Sequence, residues 1–142
     1  MKVIATPSRT KEILEKFDLY AKKNYGQNFL VEPGIVSKIA RNAIVSDHTV
    51  AVEIGPGIGA LTQMLSQYAK KVVAYEIDER LPEVLAYSLE DCDNVEIVLQ
   101  DFMQVDLKAL VNKYSEDDVV IAANLPYYIT TPILFKIFES EA

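Results

Sequence analysis

Apolar positions along this chain follow two alternating rhythms. Four short runs rich in β-branched residues, "TVAVEI" (49–54), "KVVAYEI" (71–77), "VEIVLQ" (95–100) and "DVVIAAN" (118–124), have the length and composition of strands. Between them the apolar spacing lengthens to three and four residues, the repeat of a helix with one buried face. "ALTQMLSQYA" (60–69) places Leu61, Leu65 and Tyr68 inward, and residues 79–90 do the same with Leu81, Val84, Leu85 and Leu89. Pro82 is tolerated in the first turn of that second helix. A shorter helix is predicted near 106–114, and "TPILFKIFES" (131–140) starts another, with Pro132 near its N-terminus. Upstream, "SRTKEILEKFD" (8–18) predicts a helix capped by Ser8 or Thr10, with Ile13, Leu14 and Phe17 on one side. "KKNYGQNFLVEPG" (22–34) breaks the periodicity and reads as a loop. Residues 35–44 resume it with Ile35, Ile39 and Ala43 beside Val36, Ala40 and Ile44.

Strands that alternate with helices, and are themselves almost continuously apolar, predict a parallel sheet covered on both faces. That is a doubly wound α/β fold. In such a sheet the first strand is central and the order reverses beside it, which gives 3-2-1-4 and leaves the fourth strand on an edge. "VVIAA" has none of the charges that protect an edge, and the sequence stops two residues after "FES". The expectation is an incomplete sheet in a fragment of a longer protein.

Composition narrows the class. Half of the 142 residues are apolar, a quarter are charged, and Gly and Pro together number 11, so one folded domain is expected rather than disorder. No apolar run approaches the roughly 18 residues of a membrane span, and "MKVIATPSRTKE" lacks the apolar stretch of a signal peptide. Cys92 stands alone, which excludes an internal disulfide or a multi-cysteine zinc site and suits a reducing, cytoplasmic setting. His48 falls in a polar turn and reads as solvated. The net charge of −7 is uneven: residues 1–23 hold six Lys or Arg against three acids, a balance of +3, which leaves −10 for residues 24–142. An acidic body argues against strong nonspecific binding of nucleic acid by this chain alone, and the basic N-terminus is equally well an ordinary solvated helix. The sequence is thus divided into a basic N-terminal helix and arm (1–25) and the first part of a ligand-binding domain (26–142).

Candidate chemistry gathers at the strand ends. In "VEIGPGIG" (52–59), Gly55 and Gly57 permit a tight turn and close approach of a ligand, and Gly59 lets helix and strand pack closely. The G-x-G-x-G spacing is one residue shorter than the dinucleotide fingerprint, and a structural turn would look the same. Glu76 follows Gly55 by 21 residues, at the end of strand two, where a carboxylate accepts both ribose hydroxyls. Asp101 takes the equivalent place after strand three and can accept from an adenine amino group, or serve as a helix cap. These positions favour an adenosine-containing ligand, either S-adenosylmethionine (SAM) or NAD.

"NLPYYIT" (124–130) weighs toward SAM, because hydride transfer has no use for it. Asn124 offers a carboxamide oxygen and the Leu125–Pro126 step offers backbone carbonyls. Together these acceptors can hold an exocyclic amino group toward a methyl donor. Tyr127 supplies a flat face for a stacked base, worth roughly 1–3 kcal/mol in comparable settings. A turn with two tyrosines at the sheet edge is the plain structural alternative.

"GQNFL" (26–30), "EIGPGIGALT" (53–62), Glu76, "QDFMQ" (100–104) and "NLPYYIT" occur in an order that resembles the ribosomal RNA adenine N6-dimethyltransferases. "IATPSRTKEILEKF" is most similar to the bacterial small-subunit, kasugamycin-sensitivity branch. The resemblance implies a Rossmann-like class I SAM-dependent methyltransferase fold with SAM held by Asn28, Leu30, Gly55, Gly57, Glu76, Asp101 and Asn124. Gln27 and Phe29 would help to close over the ligand, and Asn124, Leu125, Pro126 and Tyr127 would form the catalytic cluster. The implied reaction is transfer of two methyls to each of two adjacent adenosines near the 3′ end of 16S rRNA in an immature 30S subunit, without a metal. Such adenines leave their stack at a cost of a few kcal/mol. Family members are about twice as long and continue with three more strands and a basic helical domain. The expectation for this chain alone is a weakened SAM site, weak RNA binding and little or no turnover. Methylation of the large subunit, a non-enzymatic ribosome-assembly role and a nicotinamide oxidoreductase remain as alternatives.

Overall fold

Pro7 has no amide hydrogen to give, so the residue before it becomes the cap of the first helix. In the computed structural model, which describes residues 2–19, 33–44 and 46–123, Thr6 is extended and its side chain accepts the Arg9 N–H. Helix α1 (Pro7–Lys16) therefore starts one residue before the predicted Ser8, and neither Ser8 nor Thr10 is its cap. Thr10 is instead buried and donates to the Ile4 carbonyl at 2.8 Å.

The remaining elements are α2 (Pro33–Ala43), β1 (Thr49–Ile54), α3 (Ala60–Tyr68), β2 (Lys71–Glu76), α4 (Leu81–Ser88), β3 (Val95–Leu99), a 3-10 turn (Phe102–Gln104), α5 (Leu107–Lys113) and β4 (Asp118–Ala123). The strands form one parallel sheet in the order β3-β2-β1-β4, as predicted. Val52 lies opposite Val73 on one side and Ile121 on the other, which fixes the register of the central strand.

Alternation along the strands divides two cores. Ala51, Val72 and Ala122 face α1, α2, α3 and α4, where Ile4, Ile13, Leu14, Val36, Leu61, Leu65 and Leu85 are all buried. Val50, Val52, Ile54, Val73 and Tyr75 face the 3-10 turn and α5, and Tyr75 meets Phe102 edge-on at 5.6 Å. Each fully buried aliphatic side chain contributes about 1.5–3 kcal/mol, so α1 is a working part of the first core through Ile13 and Leu14. Tyr68, expected inward, is 44% exposed. Helix α3 ends there, and the extended Ala69 turns into the core in its place.

The N-terminal segment is fastened to α3 by one amide. Gln63, buried, accepts the Ile4 N–H at 2.8 Å and donates to the Lys2 carbonyl at 2.7 Å. Arg9 adds a second fastening to α4. Its Nη1 donates to both carboxylate oxygens of Glu12 (2.7 and 2.8 Å), and the guanidinium lies 5.1 Å from the centre of the Tyr87 ring. The Tyr87 hydroxyl in turn donates to Glu12 at 2.6 Å.

Candidate functional site

The turn after β1 is built by three residues that must have no side chain. Gly55, Gly57 and Gly59 adopt φ of 68°, 61° and 98°, a region that side chains disfavour. Gly55 donates to the Tyr75 carbonyl at 2.9 Å and so continues the ladder with β2, while Gly59 donates to Pro56 at 2.9 Å and caps α3. A Cβ on Gly59 would lie 3.1 Å from Leu89 and 3.2 Å from Leu85, so α4 approaches this backbone closely. From the same side, Ser88 donates to the Ile58 carbonyl at 2.7 Å.

Glu76 ends β2 beside that turn. Its Oε1 accepts the Gly57 N–H at 3.1 Å, and its Oε2 accepts Ile77 and Asp78 N–H at 2.9 and 3.0 Å. The residue is 5% exposed, and burial pushes its pKa up against the pull of those three amides. Asp101 follows β3, is exposed, and caps the 3-10 turn by accepting the Met103 N–H at 2.9 Å. Between these acids the surface is apolar: Ile77, Leu99 and Met103 are 64%, 52% and 40% exposed. Leu99 pairs with Glu76 across the sheet, so carboxylate and apolar surface share one end of the strands.

This donor set suits an adenosine. A side-chain-free turn leaves room for a chain of atoms against the backbone, Glu76 offers acceptors for hydroxyls, and three exposed apolar side chains offer a face for a base. Of the residues predicted for the site, the structure brings Gly55, Gly57 and Glu76 together, with Asp101 at the next strand end. Asn28, Leu30, Gln27 and Phe29, like Asn124, Leu125, Pro126 and Tyr127, lie outside the described residues.

Glu53 has no role in the site as predicted from the sequence. It is completely buried on β1, where its Oε1 accepts the Thr62 hydroxyl at 2.5 Å and its Oε2 has no hydrogen-bond partner. Burial pushes its pKa up to about 8; the Thr62 bond works against this and the Glu76 charge works with it. The signal was present in "VEIGPG": a carboxylate inside an otherwise apolar strand.

His48 is exposed, and Cys92 is half-buried with its Sγ 3.3 Å from the Ser66 hydroxyl. Among the described residues no group of three His, Cys, Asp or Glu side chains is placed to hold a metal, and no helix is long and apolar enough to cross a membrane.

Known proteins resemble this arrangement closely. "Ribosomal RNA small subunit methyltransferase A" of Anoxybacillus flavithermus is 51% identical over 142 residues, covering 99% of this chain and 48% of that protein. The protein of the same name from Bacillus licheniformis is 49% identical, covering 99% of this chain and 49% of its own length. The chain thus spans about half the length of the relatives it matches. Among solved structures, 23S rRNA methyltransferase ErmE superposes with a TM-score of 0.64 at 28% identity, covering 78% of this chain and 42% of that one. A dimethyladenosine transferase from Plasmodium falciparum gives 0.60 at 32%, covering 76% and 37%. The fold is that of the class I SAM-dependent methyltransferases, with the sheet order 3-2-1-4. The sequence model of one family, ribosomal RNA adenine dimethylase, matches residues 19–142, and the chain belongs to that family.

Proposed function

We propose that this chain provides the SAM site and the amine-holding cluster of an enzyme that dimethylates the N6 amino groups of two adjacent adenosines near the 3′ end of 16S rRNA, in the maturing small subunit. The observation that carries the reading is the near-50% identity, along essentially the whole chain, to proteins named as small-subunit methyltransferases. The lower identity to the large-subunit enzyme supports this branch over resistance methylation. The cytoplasm, where ribosomes mature, is the proposed setting.

In this reading the donor supplies a methyl on a positively charged sulfur, already activated for transfer. The chain's own residues bind and orient. Glu76 holds the ribose hydroxyls and Asp101 the adenine amino group, while Gly55 and Gly57 leave the backbone open to the amino-acid end. Asn28 and Leu30 contribute from the segment before α2. Asn124 and the Leu125–Pro126 carbonyls hold the target amino group, and Tyr127 stacks on the target base. Positioning of the amine does most of the work, since no strong base is needed to start the transfer.

The test is methylation, by the full-length protein of which this chain is the expected first half, of small and large subunits from cells lacking adenine dimethylation, using SAM with a labelled methyl and nucleoside mass analysis. Dimethyladenosine in small-subunit RNA is the expected product. Label confined to large-subunit RNA would move the assignment to the other branch.

A further inference from the structure

Glu53 is the one acid of the sheet interior whose chemistry the donor site leaves unused. It precedes Ile54 and Gly55, pairs with Ala74 and Ala122 on its two sides, and shares the strand face of Ala51. Its Oε1 meets Thr62, the third residue of the helix that the glycine turn opens. Its Oε2 is fully buried without a partner. Among the described residues the charge set against it is Glu76 on β2; α3 presents only the Thr62 hydroxyl. A buried acid with one unused oxygen is a poor structural element, because an amide or a valine would fill the strand without the cost of dehydrating a carboxyl group.

We propose that Glu53 is a positioning residue that carries a proton beneath the glycine turn and releases it when a cationic methyl donor binds, so that the site separates the charged donor from its neutral thioether product. This rests on the donor-site reading above. The balance is simple: Glu53 carboxylic acid plus sulfonium donor gives Glu53 carboxylate paired with the bound cation, and one proton passes to solvent. Donor and product carry the same amino and carboxylate groups and differ by one methyl and one positive charge. The carboxylate therefore gains from the donor an attraction that the product lacks. After transfer that attraction disappears, the carboxyl recovers its proton, and the product's hold on the turn weakens.

Calorimetry tests this with SAM and S-adenosylhomocysteine, titrated into the protein in buffers of different ionisation enthalpy between pH 6 and 8. The expected result is proton release with SAM, and an affinity for SAM relative to the thioether that rises up to about tenfold per pH unit toward pH 8. Glu53→Gln should bind both ligands with a ratio that does not change with pH. Thr62→Val, which removes the hydrogen bond that favours ionisation, should move the pH dependence upward. Proton release by SAM that is equal in the wild type and Glu53→Gln would overturn the role of Glu53 while leaving the donor site standing. If Glu53→Gln does not fold, an unchanged pH dependence in Thr62→Val would overturn it equally. Failure of both ligands to bind the wild type would remove the donor-site reading and this inference together.

Discussion

Gly57 donates its backbone N–H to Oε1 of Glu76 at 3.1 Å, which ties the turn after β1 to the end of β2. The bond runs from a residue whose φ of 61° disfavours a side chain to the carboxylate proposed to hold the donor's ribose. It makes the two halves of the site one object, and it sets what a substitution at either end should do.

Glu76→Gln keeps the size of the side chain but removes its charge. In the proposed site the ribose hydroxyls would then lose a charge-assisted acceptor, worth about 1.5–3 kcal/mol. SAM should bind roughly 10- to 100-fold more weakly by calorimetry. An unchanged affinity would mean that the ribose sits elsewhere.

Gly59→Ala should lower stability by about 1–3 kcal/mol in urea denaturation, since φ of 98° and Leu89 at 3.1 Å both oppose a Cβ. Gly34→Ala is the contrast. It lies in α2 with nothing within 4 Å of the added methyl, and it should be neutral or stabilising by up to about 1 kcal/mol.

Stability should also fall as pH rises. Burial raises the folded pKa of Glu53 to about 8, from the ordinary carboxylate value of 4.5. Between those values the folded state holds a proton that the unfolded chain has lost, so unfolding is favoured with each step upward in pH. The slope from this one group is at most about 1.4 kcal/mol per pH unit. Denaturation midpoints at pH 5 and pH 8 should differ in that direction, and Glu53→Gln should flatten the difference. Glu76, shifted the same way, keeps it from vanishing.

At the N-terminal helix, Arg9→Ala should lower the thermal midpoint clearly, because it removes a buried guanidinium that joins Glu12 to the Tyr87 ring. Lys11→Ala should leave the midpoint nearly unchanged, because its pairing with Glu15 at 3.9 Å is exposed on both sides.

The sheet order was legible because β-branched runs and helical spacing differ in period, and because parallel strands obey a narrow set of connections. Helix starts were less legible: Ser8 and Thr10 have capping side chains, but Pro7 decides the matter by sitting where an amide is not needed. Gly55, Gly57 and Glu76 could be read from spacing, since positive φ and a strand-end carboxylate leave marks in sequence. The state of Glu53 could not. Its pKa depends on a hydroxyl nine residues away and on exclusion of water from both faces of a strand, neither of which a linear pattern encodes.

The clasp of Gln63 on Lys2 and Ile4 has a practical reach. Gln63 follows Thr62 in the helix that opens at the glycine turn, so the amino end of the chain is mechanically in series with the floor of the site. A fluorophore or purification handle is therefore better carried at the exposed Glu116, after α5, than joined ahead of Lys2, whose carbonyl accepts from that amide.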